Sequence, residues 1–200
     1  MSKREADLSP SESLLLIRSM IESTKYSIRD SSHFFLMWGW AVMIGCILQY
    51  ILLVLVHYKH HYYAWFITPV ALVIHIIFLV NGNKPQRVKT FVGEANRYLW
   101  TAIGFSILVM SFIFMRIGWQ YCFPFDVLLY GIGTAVSGAL LQFKPLLVGG
   151  IICFVCAAFA AYLPYQFQIL LTAFAILMSY IIPGHLLRLH YRRTAPSPTN

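Results

Sequence analysis

The chain has 200 residues, of which 59% are hydrophobic and only 11% are charged, and its mean hydropathy is +0.69. A soluble domain normally carries about 25% charged residues, so this composition excludes a soluble globular protein and predicts a polytopic membrane protein. The formal net charge of +8 comes from basic residues between apolar runs. Basic residues in such positions set the orientation of a protein in the membrane. They do not form the continuous basic face that nucleic-acid binding requires.

Residues 1–33 form a polar N-terminal segment without the pattern of a signal peptide. Ser9, Pro10 and Glu12 form a helix-start signature, with Ser at the N-cap and Glu placed to close a capping box. Apolar side chains then recur at helical spacing from Leu14 to Ile28. The segment therefore predicts an amphipathic cytoplasmic helix, which would lie on the membrane, pack under the bundle or bind a partner helix.

Six apolar segments follow, each close to the roughly 20 residues that a helix needs to cross a bilayer. They cover 34–56, 63–80, 98–115, 123–143, 146–163 and 167–187. Trp and Tyr residues are concentrated near their ends, as in the aromatic belts of membrane proteins. We therefore expect an all-α membrane bundle of six transmembrane helices over 34–187, followed by a basic tail at 188–200 whose end is disordered.

The basic residues predict the orientation of the bundle. Of the fifteen Lys and Arg residues, only Lys59 and Arg116 fall in the connections on one side of the predicted membrane. All others lie in the N-terminal segment, the 81–97 loop, the turn at Lys144 or the C-terminal tail. Because cytoplasmic loops carry the excess of Lys and Arg, both termini are predicted to be cytoplasmic.

One face of the fourth segment consists of small residues. Gly131, Ala135 and Gly138 lie on it at helical spacing, and Gly149 and Cys153 form a similar face on the fifth segment. Small residues let two membrane helices approach closely. A short turn joins the two segments, so the pattern predicts an antiparallel helical hairpin.

The opposite face of the fourth segment is the candidate polar site. Asp126, Tyr130 and Ser137 lie on it, and Asp126 is the only acidic residue in the six segments. An ionisable residue within a membrane is a functional hypothesis by default. Two interpretations are open: a structural ion pair with Arg116 across a short loop, or an ion, proton or substrate site to which His75 of the second segment would contribute.

His57, His60 and His61 form an H-x-x-H-H pattern after the first segment. On a helix these residues would share one face, as a Zn or Cu site requires, but no carboxylate accompanies them. Their Tyr-rich surroundings favour interfacial histidines. We therefore predict no bound metal and no cofactor.

Motifs of known enzyme chemistry are not present in the sequence. It contains no phosphate-binding glycine loop, zinc-protease signature or serine nucleophile motif. Intramembrane hydrolases need paired acids, a zinc motif or an activated serine, and one Asp near a helix end is not sufficient. The expectation is a non-enzymatic protein.

Three short stretches carry a resemblance to a group of proteins. They are LQFKP at 141–145, the Gly149–Gly150 pair and YIIPGHLL at 180–187. Through these three stretches, the last third of the chain resembles small uncharacterised six-helix membrane proteins of Bacteroidota. The resemblance implies a bacterial inner-membrane setting, and it transfers no activity and no functional residue.

These observations lead to two hypotheses of function. The first is a membrane scaffold or regulatory protein whose cytoplasmic face, residues 1–33 and the 81–97 loop, meets a protein partner or anionic lipid. The second is a small transporter or channel subunit that uses the fourth helix, with a homo-oligomer as an open alternative. A transporter needs a water-accessible cavity that reaches Asp126, Tyr130 or His75, whereas a scaffold is packed solid there.

Overall fold

A computed structural model describes residues 32–81 and 91–194. The predicted amphipathic helix and loop residues 82–90 lie outside these described residues. Within them the secondary structure is helical, and the all-α prediction is confirmed. The helices are α1 (Ser32–Leu55), α2 (Ile67–Asn81), α3 (Phe91–Ile117), α4 (Cys122–Leu140), α5 (Lys144–Ala160), α6 (Tyr165–Ile176) and α7 (Ile182–Thr194).

Short segments of other helical types lead into or join these helices. The 3₁₀ segments His61–Phe66 and Trp119–Tyr121 precede α2 and α4, and the π turn Leu177–Ile181 joins α6 to α7. Pro183 follows that π turn and is fully buried. Proline has no N–H to donate to the preceding turn of a helix. The wider π turn accommodates this missing bond, so the helix continues through Pro183, and α6 and α7 form one continuous rod.

The membrane character of the fold is evident from helix length and hydropathy. Five helical stretches are long and apolar enough to cross a membrane: Ser32–Leu55, His61–Phe78, Phe91–Ile117, Trp119–Leu140 and Tyr165–Leu189. The sixth helix, α5, is apolar but has only 17 residues. The predicted helical membrane bundle is therefore confirmed with five candidate spans, and the sixth is shorter than expected.

The closest contact in the bundle is the hairpin of α4 and α5. A Cβ added to Gly138 would lie 2.5 Å from the backbone nitrogen of Leu147, and one added to Gly150 would lie 2.6 Å from the nitrogen of Ala135. Real Cβ atoms do not approach backbone atoms this closely. The two helices therefore pack backbone to backbone, and only glycine fits at these two positions.

The same small-residue surface continues onto the neighbouring helices. A Cβ on Gly131 would lie 3.0 Å from the Cβ of Cys153, and one on Gly149 would lie 2.7 Å from the Cα of Ser179 in the π turn. On the far side, a Cβ on Gly39 of α1 would lie 2.9 Å from the Cβ of Tyr180. Helix α5 thus packs between α4 and the α6–α7 rod, and α1 packs on the rod.

Helices α2 and α3 lie at the periphery. In their most apolar stretches only 11% of residues are buried, compared with 50% in Tyr165–Leu189. Most of their large exposed side chains are Val, Ile, Leu and Phe, which suit contact with acyl chains. The tightly packed part of the bundle is therefore formed by α1, α4, α5 and the α6–α7 rod.

The close approach of α4 to α5 can be tested with Gly138→Ala. The added methyl group meets the backbone of Leu147, and overpacking of this kind costs about 1–3 kcal/mol. We expect a lower free energy of unfolding in lipid nanodiscs. Gly104→Ala on α3 is the matched control, because no atom lies within 4 Å of its added Cβ. Equal stability of the two variants would contradict the close contact.

Candidate functional site

Asp126 lies in the second turn of α4 and is partly buried. Its carboxylate interacts electrostatically with the thiols of Cys46 and Cys122 and with the phenol of Tyr130. Arg116 is exposed in the last turn of α3, and among the described residues no ion pair joins it to Asp126. The ion pair considered from the sequence is therefore not formed among the described residues: Arg116 is exposed, whereas Asp126 is partly buried and interacts with Cys46 of α1.

A second polar group, not anticipated from the sequence, is centred on Gln49 of α1, which is only 1% exposed. The indole N–H of Trp65 donates to Gln49 Oε1 at 2.6 Å. Gln49 Nε2 donates to the hydroxyl of Tyr165 at 3.0 Å and lies 3.2 Å from Nδ1 of His61. One buried amide thus ties α1 to the start of α2 and to the start of α6.

These contacts define two ends of the bundle. We call the end where α1, α3 and α5 finish and α2, α4 and α6 begin the Tyr165 end. The opposite end, at the turn between α4 and α5, is the Lys144 end. Asp126 and the Gln49 group both lie towards the Tyr165 end.

The three histidines of the H-x-x-H-H pattern are not directed at a common point. His61 contacts Gln49, whereas Nδ1 of His60 lies 2.6 Å from the hydroxyl of Tyr62. His57 has a left-handed backbone with φ 53° outside any helix. Within the part of the chain that the structure describes, no three His, Cys, Asp or Glu residues are grouped to hold a metal ion.

Four rings from different elements meet inside the bundle, and we call them the aromatic layer: Phe35 of α1, Trp100 of α3, Tyr130 of α4 and Tyr180 of the π turn. The ring of Tyr180 lies 5.4 Å from that of Phe35 and 5.7 Å from those of Trp100 and Tyr130. These are edge-to-face contacts, which stabilise aromatic pairs. Tyr180 is therefore the ring at which the other three meet, and Tyr130 joins the layer through its contact with Tyr180.

Ser137, on the polar face of α4, contacts α3. Its Oγ accepts a hydrogen bond from the indole N–H of Trp100 at 3.0 Å and donates to Oδ1 of Asn96 at 2.6 Å. A Cβ on the neighbouring Gly133 would lie 2.5 Å from Cδ1 of Ile103. This part of the polar face is therefore the surface on which α3 packs. The hydroxyl of Ser137 is satisfied there by its hydrogen bonds with Trp100 and Asn96.

His75 lies apart from the other candidates. It is half-buried on α2, where its ring lies 5.5 Å from that of Phe34 and 6.3 Å from that of Trp38. The structure therefore brings Asp126 and Tyr130 together, but it places His75 between α1 and α2. The candidate polar residues do not line one shared space.

A cleft of about 390 Å³ opens at the Tyr165 end. The residues around it include Gln120, Tyr121, Phe125, Ala161, Tyr165 and Gln168. Asp126, Tyr130 and His75 are not among its lining residues. The cleft is thus a separate feature at the end of the bundle, and the candidate polar residues do not line it.

The described residues form a helical bundle with five helices that are long and apolar enough to cross a membrane. Comparisons with protein families, with curated proteins and with solved structures find no match. Its function is therefore argued from the geometry alone.

The structural role of Gln49 can be tested with Gln49→Leu. The substitution removes the acceptor of Trp65 Nε1 and the donor to Tyr165, and a buried polar group left without a partner costs about 1–3 kcal/mol. We expect a lower unfolding temperature. Gln166→Leu, at an exposed position of α6, is the matched control. The role would be refuted if both variants unfolded at the wild-type temperature.

Proposed function

We propose that this protein is a non-enzymatic membrane scaffold or regulatory protein, which binds a protein partner or anionic lipid at its cytoplasmic face. The observation that carries the proposal is the aromatic layer. The ring of Tyr180 contacts those of Phe35, Trp100 and Tyr130, and a transport path between these helices would have to displace it. The layer supports a static bundle that presents a surface.

The charges of the described residues support the choice of surface. Arg97, Lys144 and Arg188 are all exposed, and all three lie towards the Lys144 end. Each basic residue near an anionic membrane surface contributes about 1 kcal/mol of attraction. In this proposal the Lys144 end faces the cytoplasm, and the sequence carries further Lys and Arg residues within 1–33 and 81–97.

A small transporter or channel subunit is the second candidate, and one observation favours it. Asp126 is an acidic residue in a candidate membrane span, and among the described residues it has no ion-pair partner. Such a group suits the binding or relay of a cation or proton. This candidate requires water to reach Asp126 and the two cysteines beside it.

The native cysteines distinguish the two candidates. Cys46, Cys122, Cys153 and Cys156 are buried free thiols, and Cys46 and Cys122 lie beside Asp126. In a packed scaffold none of them reacts with a membrane-impermeant maleimide until the protein is denatured. Mass spectrometry of intact protein in nanodiscs measures the number of adducts. Lys59→Cys, which adds an exposed thiol, is the positive control.

Native labelling of Cys46 or Cys122 would overturn the scaffold proposal, because it would reveal a water path to Asp126. Liposomes containing the protein would then be expected to conduct protons or cations, and Asp126→Asn would reduce that flux at unchanged protein abundance.

The lipid-binding face is tested by reversing charge. Lys144→Glu combined with Arg188→Glu should reduce the phosphatidylglycerol that co-purifies in mixed-lipid nanodiscs by more than about tenfold, since about 1 kcal/mol is lost for each basic residue and 1.4 kcal/mol corresponds to about tenfold. Lys59→Glu combined with Arg116→Glu makes the same change at the Tyr165 end and should have little effect. Quantitative lipid mass spectrometry measures both. Equal loss in the two double variants would contradict a specific face at the Lys144 end.

A further inference from the structure

We propose that His61 is a pH-sensitive latch, which holds the start of α2 on α1 while its ring is neutral and releases it when the ring is protonated. The inference goes beyond the function proposed above and does not depend on which end of the bundle binds a partner. It rests on the hydrogen bonds of the Gln49 group, in which His61, Trp65 and Tyr165 surround one buried amide.

The orientation of the Gln49 amide is fixed by Trp65. The indole N–H of Trp65 can only donate a hydrogen bond, and it donates to Oε1 of Gln49 at 2.6 Å. A flipped amide would place its NH₂ group against this N–H, with two donors face to face. Nε2 therefore lies on the other side of the amide, where its two protons are directed at Tyr165 and His61.

These two protons determine the protonation state of His61. One is donated to the hydroxyl of Tyr165 at 3.0 Å. The other faces Nδ1 of His61, which lies 3.2 Å from Nε2 of Gln49, and only an unprotonated ring nitrogen accepts a hydrogen bond. The ring of His61 is therefore neutral, with its proton on its own Nε2.

Protonation of His61 breaks this contact. Both ring nitrogens of a charged histidine are donors, so the N–H at Nδ1 would point at the NH₂ group of Gln49. The amide cannot turn to offer its oxygen, because Trp65 already donates to that oxygen. His61 is only partly buried, so its charged ring reaches water by turning outwards, and the bond to α1 is lost.

The charged form of His61 gains no compensating partner among the described residues, since no carboxylate interacts with it there. The titratable side chains that face it are Tyr165 of α6 and Tyr62 of its own segment, whose ring centroids lie 6.2 and 6.1 Å away. Phenols have a pKa of about 10 and stay neutral near pH 6. The contact therefore stabilises the bundle above about pH 6.5, where a free histidine is neutral, and its contribution is lost as the pH falls below that value.

The helix that this latch holds is weakly packed elsewhere. In the stretch His61–Phe78 only 11% of the residues are buried. Besides Gln49, α1 holds this stretch through the ring of Trp65, which lies beside Gly45, and through His75 farther along the helix. The loss of one hydrogen bond at its beginning is therefore expected to loosen its first turns.

Hydrogen–deuterium exchange of the full chain in phosphatidylcholine nanodiscs tests the latch. Mass spectrometry measures the opening of the peptide that covers residues 61–66 at about pH 7.5 and about pH 5, on either side of the ordinary histidine pKa of about 6.5. The rates are corrected for the intrinsic pH dependence of amide exchange. We expect opening to increase roughly fivefold at the lower pH, as the loss of one hydrogen bond predicts, and to reverse on return to the higher pH.

Three histidine variants assign the response. His61→Asn removes the titration but keeps the contact, because Oδ1 of Asn takes the place of Nδ1 and accepts from Gln49 at either pH, so its opening should not change with pH. His60→Asn is the matched control, since Nδ1 of His60 lies against the hydroxyl of Tyr62. His75→Asn tests the other histidine of this stretch. Both should respond to pH as the wild type does.

Absence of the pH response in the wild type, or its persistence in His61→Asn, would overturn the proposal. Nitrogen NMR of wild-type protein labelled at His and Gln keeps the test valid if His61→Asn does not fold. At about pH 7.5 the spectrum should contain a histidine whose unprotonated Nδ1 accepts from a glutamine side-chain amide. A spectrum without such a histidine would also overturn the latch.

Discussion

The structure depends on the backbone contact between α4 and α5. Gly138 lies against the backbone of Leu147, and Gly150 lies against Ala135, so side chains cannot hold these helices apart. In lipid, helices gain little from hydrophobic burial, and close van der Waals packing takes its place. Because α5 also meets the π turn through Gly149, this hairpin positions the α6–α7 rod, and the rod in turn positions α1 through Gly39.

The polar residues within the bundle are mainly used to join helices. Ser137 links α4 to Trp100 and Asn96 of α3, and Gln49 links α1 to the beginnings of α2 and α6. Such bonds are favourable within a membrane, because a polar group there has no water with which to form a hydrogen bond. Asp126 differs from these residues, since its described neighbours are thiols and a phenol. It therefore remains the residue on which the transporter hypothesis depends.

Predictions from single residues were less reliable than predictions from long patterns. Asp126 and Arg116 are close in sequence across a short loop, but the direction of each side chain depends on the rotation of its helix, and packing against other helices sets that rotation. The histidine pattern requires a regular helix, whereas the chain forms a left-handed residue at His57 and a 3₁₀ segment from His61. Gln49 was missed because one amide in an apolar run carries no periodic signal.

The sequence by itself determined the helical membrane character of the chain. The hydropathy of a span is averaged over about 20 residues, so a few polar residues within it do not change the prediction. It also indicated which faces of α4 and α5 consist of small residues, since residues at helical spacing lie on the same face. Only the tertiary structure decided that the rings of Phe35, Trp100 and Tyr130 meet at Tyr180 and that a cleft opens beside Gln168. Both features are made of side chains from segments far apart in the chain, and their distances depend on how the helices are rotated and packed.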